Sequence, residues 1–432
     1  MMPSLPSRRQ FIKASTALCG MSLLPINALL AVAPRSRHIL LRSGWQTENI
    51  GDIAHTPGVL VLLEKYLPDA IVTFWPFYDY LPDQEVSMLK QRFPKLRIAQ
   101  GKLDAAGKAS TPELEAAVAS ADFLLHNSGP YMLAWADAEA FHKRTGKPFG
   151  VYGVTYGHWV FGTQEKETLS KAQFVYFRDS VSLAKAKQDG VHAPIMEFSP
   201  DAVFALDLRN EPAADAFLRA QGLEADKFLC CIPKQRYTPT WLHVRKNRPL
   251  DGGKNNRNEE MKDHDHLPLR EAIIAITRGT SMKVLICHED ETEMSIGKEW
   301  LLDKLPADVQ KKVVWLNRPW TLDEAVGIYR RSAGLFGNEM HSPIMCIANG
   351  IPAIVVRWVE QSSKGVMWED IGLKEWLFNF DCEDDTKRFV PTVLALAKDP
   401  VAAKAKAVKA QAFALNRLRQ TMGEVVKASQ PA

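Results

Sequence analysis

The sequence predicts an α/β protein built from two doubly wound domains that face each other across a cleft. Three observations carry this. The chain has 432 residues, and a single hydrophobic core rarely grows beyond roughly 250–300 residues. Apolar strand-like runs alternate with helical patterns, as in parallel strands joined by helical crossovers. The alternation halts in a polar stretch at 206–212 and then restarts. With 46% hydrophobic and 24% charged residues the composition is ordinary for a globular protein and excludes a disordered chain. A net charge of +4 is too weak to suggest a nucleic-acid partner.

The chain opens with Ser7-Arg8-Arg9-Gln10-Phe11-Ile12-Lys13, an apolar run from Ala14 to Ala33, and a small-residue Ala31-Val32-Ala33 pattern. This is the arrangement of a twin-arginine signal peptide, so residues 1–35 are expected to be an address read by the twin-arginine export machinery. The mature protein is then expected in the periplasm or outside the cell.

In the first domain, residues 36–208, strands are expected at 38–42, 70–75, 96–99, 123–126, 149–152 and 174–178. Helices are expected between them, the first over 58–66, following a loop at 43–53. In the second, residues 209–390, strands are expected at 228–232, 283–287, 313–316, 334–337 and 353–356. Helices are expected at 267–278, 299–305, 321–331 and 343–349. The stretch 236–266 is rich in Lys, Arg, Asn, Asp and Gly and reads as a long exposed loop, a candidate lid. Residues 391–432 read as a helical tail, its Ala/Lys-rich part a strong helix former.

Beyond Cys19 in the leader, five cysteines remain without regular spacing. Cys230 and Cys231 are neighbours on one strand and point to opposite faces, so they read as small buried hydrophobes. The pair His264 and His266 lacks a partner pair, and no metal is expected there. Trp45, Trp159, Trp358 and Trp368 lie near candidate loops, where tryptophan can stack on sugars, although core packing is the commoner use.

The candidate site residues cluster at carboxyl ends of strands, where open α/β sheets bind ligands. Asn49-Ile-Gly51-Asp52 follows the first strand; Gly51 permits close backbone approach, and the next helix start offers N–H donors. The competing reading is a structural N-cap loop. Arg178 ends an apolar strand and could clamp a carboxylate or phosphate, or form an interdomain ion pair. Asp179 and Ser182 after it fit substrate contact or a helix cap. His288 closes the strand 283–287 and is expected to face the cleft. His341 precedes an apolar helix whose first turn holds Pro343, and is expected to act as a proton donor or as a cation. Ser342 and Lys364 complete the set.

Three segments in order, Thr47-Glu-Asn-Ile-Gly-Asp-Ile-Ala54, then Phe177-Arg-Asp-Ser-Val-Ser182 with Pro200-Asp201, then Leu335-Phe-Gly-Asn-Glu-Met-His-Ser342 with Gly350-Ile-Pro352 and Lys364, resemble the polysaccharide pyruvyltransferase family. The resemblance covers about residues 38–380. It implies two Rossmann-like domains in a glycosyltransferase-B-like arrangement. It also implies transfer of a pyruvyl group, as a ketal, from phosphoenolpyruvate to hydroxyls of a glycan acceptor. No cofactor and no required metal are implied. Glu339 stands two residues before His341, where the family carries arginine. A carboxylate there would repel phosphoenolpyruvate; Glu339 could instead hold sugar hydroxyls or act as a general base. Two further expectations therefore stand beside the first: an exported glycan-binding or glycan-processing protein with another donor, and a sugar-nucleotide glycosyltransferase.

Overall fold

The protein is described from a computed structural model, which covers residues 36–78, 80–157 and 162–430. The leader and Trp159 lie outside the described residues. In chain order the first domain carries strands β1 (His38–Ser43), β2 (Ile71–Pro76), β3 (Arg97–Ile98), β4 (Phe123–His126), β5 (Phe149–Val154), β6 (Val175–Phe177) and β7 (Met196–Phe198). The second carries β8 (Phe228–Ile232), β9 (Lys283–Ile286), β10 (Val313–Trp315), β11 (Gly334–Gly337), β12 (Ala353–Arg357) and β13 (Leu377–Asn379). All pairings are parallel. The strand orders are β3-β2-β1-β4-β5-β6-β7 and β10-β9-β8-β11-β12-β13. Both sheets are thus doubly wound. β7 and β13, three-residue edge strands, are absent from the periodicity because Met196-Glu-Phe198 and Leu377-Phe-Asn379 are too short to show it.

These orders position the site. In each sheet the winding reverses once, between β1 and β4 in the first and between β8 and β11 in the second. At a reversal the neighbouring loops diverge to opposite faces and leave a crevice at the strands' carboxyl ends. The loops after β1 and β4 therefore belong to one crevice, and those after β8 and β11 to the other.

The interiors of both sheets are dry. Leu40, Leu41, Phe123 and Val151 in the first, and Cys230, Cys231, Ile286 and Val355 in the second, are fully buried. The four cysteines at 230, 231, 287 and 346 are free and buried, as small hydrophobes would be, while Cys382 is exposed. Trp45, Trp358 and Trp368 are core residues, so none offers an open platform for a sugar.

Two segments differ from the expectation. The helix expected from residue 58 begins at Ile50 and runs to Tyr66. Asn49 caps it, its Oδ1 accepting from the amides of Gly51 at 2.7 Å and Asp52 at 3.2 Å. Gly51, Pro57 and Gly58 disguise it as a loop, yet most of this helix is buried and packing overrides propensity. The expected lid is likewise mostly helix. Gly252–Gly279 is continuous, started by Asp251 accepting from the Lys254 amide and passing through Pro268. Its first turns are polar all round and bury little besides Asn258, so no apolar stripe betrays them. The stretch expected as a helix at 299–305 is a π turn at Gly297–Leu301 followed by a 3₁₀ turn.

After Glu383–Lys398, the last helix, Pro400–Ala428, returns to the first domain. There Thr421 meets Tyr152 at 2.8 Å, and Arg417 donates to the carbonyl of Phe198 at 2.8 Å. The tail is therefore a strap across both domains.

One buried acid gives a test of the fold. Glu85, in the first turn of Asp83–Arg92, is buried with Oε2 unpartnered, and burial pushes its carboxyl up to about 8. The folded state keeps this proton up to about pH 8, whereas the unfolded chain releases it near an ordinary carboxylate pKa. Between those values the unfolded state binds fewer protons, so stability falls as pH rises. Urea midpoints are expected to decrease from pH 5 to 8, and Glu85→Gln is expected to remove much of that decrease.

Candidate functional site

The two crevices face each other and merge into one cleft of about 590 Å³. Its walls include Asn49, Asp52 and Arg178 from the first domain and Lys234, Glu289, Glu339, His341 and Lys364 from the second. The domains are stitched at its floor by an antiparallel bridge. The Ile50 amide donates to the Glu289 carbonyl at 3.0 Å, and the Glu291 amide to the Glu48 carbonyl at 3.3 Å.

Gly51 stands at the tightest point. A Cβ there would lie 2.4 Å from Glu289 Oε1 and 2.6 Å from His341 Nδ1. Only glycine lets the helix Ile50–Tyr66 approach this closely. Gly51→Ala is expected to force Glu289 and His341 out of register, with lost activity in a protein that still shows its helical circular dichroism.

His341 opens the helix His341–Ala348, directly after β11. Glu289 holds it by Oε1 to Nδ1 at 3.2 Å, and its Oε2 accepts from the Ser342 amide at 2.5 Å. The free N–H of this helix start is thus taken by the protein's own carboxylate. Ser342 is fully buried, and its hydroxyl accepts from Tyr329 at 3.1 Å, so it lines no cleft. Burial, the Lys364 ammonium and His55 hold the His341 imidazole well below its ordinary pKa. Burial and the Glu339 carboxylate push Glu289 well above the ordinary carboxylate range. Both directions favour an uncharged His341–Glu289 pair, and the imidazole Nε2 is buried without a hydrogen-bond partner among the described residues.

Glu339 is also in the cleft, but it is paired with Lys234. Burial alone would raise its carboxyl; Lys234 and Lys364 outweigh that and hold it below the usual range. The expected repulsion of an anionic donor is corrected by this partner, because Lys234 neutralises the charge where it stands. Lys364 lines the same wall and makes no ion pair among the described residues. Burial and the nearby Arg178 lower its pKa.

Arg178 is buried against Asp201, with Nη1 to Oδ2 at 2.8 Å, and donates from Nε to Thr155 at 2.7 Å. Asp201 also faces His55, with Nδ1 to Oδ1 at 3.2 Å, and accepts from Ser128 at 3.1 Å. Burial would raise Asp201; His55 and Arg178 overbalance it and keep it well below the ordinary range. Arg178 thus meets the cleft as a member of a neutralised buried cluster.

Asp179 and Ser182 are set apart from the cleft. Asp179 caps the helix Ser180–Gln188, accepting from the Ser182 amide and hydroxyl at 2.7 Å each. Ser182 in turn meets Ser363 at 3.2 Å, so the pair buttresses the Lys364 turn rather than touching a ligand. His288 is corrected as well. It is buried against Trp320, ring centroids 5.6 Å apart, and burial lowers it to about 4. At the end of β9 the register turns the next residue, Glu289, into the cleft instead.

His55, Asp201, Glu289 and Lys234 were not singled out as site residues by their sequence. His55 carries a usable signal: it lies three residues after Asp52, on the same helical face. Lys234 follows the end of β8 by two residues, and Glu289 the end of β9 by three, so the strand-end rule could have found both. Asp201 stands in the Pro200-Asp201 motif of the family resemblance, but its partners Arg178 and His55 are set by tertiary contact.

The sequence model of the family described as polysaccharide pyruvyl transferase matches residues 49–359. No curated protein matches the chain. Among solved structures, a candidate UDP-N-acetylglucosamine 2-epimerase of Listeria monocytogenes is 13% identical with a TM-score of 0.57, covering 90% of this chain and 96% of its own. The UDP-GlcNAc 2-epimerase of Neisseria meningitidis bound to UDP-GlcNAc is 10% identical with a TM-score of 0.53, covering 90% and 100%. A Medicago truncatula protein complexed with UDP-glucose is 8% identical with a TM-score of 0.53, covering 93% and 100%. At these identities the likeness is one of fold, the two-domain glycosyltransferase-B arrangement.

Proposed function

Because the chain belongs to the polysaccharide pyruvyl transferase family, we propose that it transfers a pyruvyl group from phosphoenolpyruvate to two hydroxyls of a glycan. The observation that supports this reading most is the cleft where the two topological reversals meet, holding the hydrogen-bonded His341–Glu289 pair beside Lys364, which makes no ion pair among the described residues. Lys364 offers charge to the donor's carboxylate or phosphate. His341 Nε2 gives a proton to the methylene carbon of the enolpyruvyl group, while Nδ1 takes the proton of Glu289. The methylene becomes a methyl group and the adjacent carbon becomes electrophilic. One sugar hydroxyl adds there, phosphate leaves, and the second hydroxyl closes the ketal. Of the two hydroxyl protons released, one replaces the proton given to carbon and the other leaves with phosphate. Glu339, neutralised by Lys234, is placed to accept hydrogen bonds from the sugar.

Calorimetric titration of the folded protein with phosphoenolpyruvate tests this. Saturable binding, weakened at least about tenfold in Lys364→Ala, is expected, since loss of one charge-assisted contact is worth about 1.5–3 kcal/mol. Heat with UDP-GlcNAc and none with phosphoenolpyruvate would replace the reading with a sugar-nucleotide one. The Ser7–Lys13 motif supports export by the twin-arginine route as part of the same proposal. Cleaved protein outside the cytoplasm of a strain lacking that translocase would refute it.

A further inference from the structure

At the proposed donor site, His341 belongs to a second set of side chains whose arrangement the transfer chemistry does not explain. His55, Asp52 and His341 each offer one ligand atom, and these atoms all lie within 4.8 Å of one another. His55 Nε2 stands 3.9 Å from Asp52 Oδ1, and the two imidazole rings meet edge to face with centroids 4.8 Å apart. Both Nε2 atoms are buried without a hydrogen-bond partner among the described residues, an arrangement that is unfavourable unless a ligand satisfies them. We propose that Asp52, His55 and His341 form a binding site for a divalent transition-metal ion of the zinc class.

The surroundings support this independently of the three ligands. The far nitrogen of each imidazole is anchored by an acid: His55 Nδ1 by Asp201 at 3.2 Å and by Ser128 at 2.6 Å, and His341 Nδ1 by Glu289 at 3.2 Å. A carboxyl group behind each histidine fixes the ring and directs its other nitrogen at the metal; with metal on His341 Nε2 the pair's proton sits on Nδ1 and Glu289 accepts it as a carboxylate, as in carboxylate–histidine–zinc arrangements. Two imidazoles and a carboxylate suit zinc over magnesium or calcium, which take oxygen ligands. Ligand atoms around tetrahedral zinc lie about 3.3 Å apart, given bonds of about 2.0–2.1 Å. Closing from the present spacing needs a shift well within side-chain reach. Asp52 and His341 both line the cleft, so three protein ligands leave a fourth position on the substrate side.

The site stands whether or not pyruvyl transfer is the reaction, but the two share an atom. A metal on His341 Nε2 occupies the nitrogen that donates the proton, so the zinc-loaded protein is expected not to transfer. Metal occupancy then acts as a switch on the same histidine.

The test measures metal without donor. Untagged full-length protein is stripped with chelator and titrated with zinc chloride, and bound zinc is counted by mass spectrometry after gel filtration. One zinc per chain is expected. Asp52→Asn and His55→Gln are each expected to weaken it by more than about tenfold, the lower bound seen when only an outer partner of a ligand is removed. Because His55 sits in a buried cluster, Asp52→Asn, whose side chain is half-buried, serves as the variant that keeps its fold, checked by its melting curve. Cobalt substitution is expected to give visible bands that the Asp52 variant loses. A folded, stripped protein that takes up no zinc, or zinc uptake undiminished in the folded Asp52→Asn protein, overturns the proposal. Failure of phosphoenolpyruvate to bind the metal-free protein would leave these readouts unchanged and would count only against the transfer reading.

Discussion

Replacing His341 by Gln is expected to lower the rate of pyruvyl transfer by a factor of about 10²–10⁴, the usual contribution of a positioned proton donor. The amide keeps the size of the side chain and can still face Glu289, so the helix His341–Ala348 retains its start. It cannot deliver a proton to carbon. The loss is expected in kcat, with donor affinity little changed, because the charge that attracts the donor is on Lys364. Lys364→Ala is the mirror image, with its effect on KM. Steady-state kinetics of the two variants separates these roles. A His341→Gln protein that keeps its melting temperature and full turnover would remove this histidine from the chemistry.

Asp201→Ala is expected to produce the largest loss of stability, about 3–5 kcal/mol, the cost of stripping one partner from a buried ion pair. The carboxylate answers four groups at once: Arg178 at 2.8 Å, His55 at 3.2 Å, Ser128 at 3.1 Å and the Val203 amide at 3.0 Å. Without it the guanidinium remains fully buried with Thr155 as its recorded partner. Urea denaturation of the single and double variants gives the measurement. Asp201→Leu combined with Arg178→Met is expected to be more stable than Asp201→Ala alone, since the double change removes both buried charges. Equal stability of Asp201→Ala and the unaltered protein would show that Arg178 finds another acceptor. The experiment also bears on function, because this cluster supports His55 and the wall of the cleft.

How much of the site could be read beforehand depended on what kind of contact each residue makes. Asn49, Gly51 and Asp52 follow a strand end, and their placement is local: strand, turn, helix start. His341 and Glu339 share that logic after β11. Asp179 and Ser182 carry two readings, and the cap holds because a four-residue span suffices to close it. His288 missed by one residue. A strand end fixes that a side chain near it reaches the crevice, but the pleat decides which one, and here Glu289 takes the place. Lys234 and Glu339 are 105 residues apart, so their pairing cannot be seen along the chain, and the sequence alone shows Glu339 as an uncompensated charge.

The sequence by itself determined the two alternating halves, the strand cores, the helix caps and the family, because each rests on patterns a few residues long or on motifs in order. The starts of Ile50–Tyr66 and Gly252–Gly279 escaped it, since glycine, proline and all-polar turns mask helices that packing and capping enforce. Only the tertiary structure decided which side chains meet: His55 with His341, Asp201 with Arg178, Glu289 with Gly51. The first and last of these contacts join the two domains, and their distances follow from how the domains close on each other, while Asp201 and Arg178 meet through the folding of the first domain alone; no local pattern encodes either.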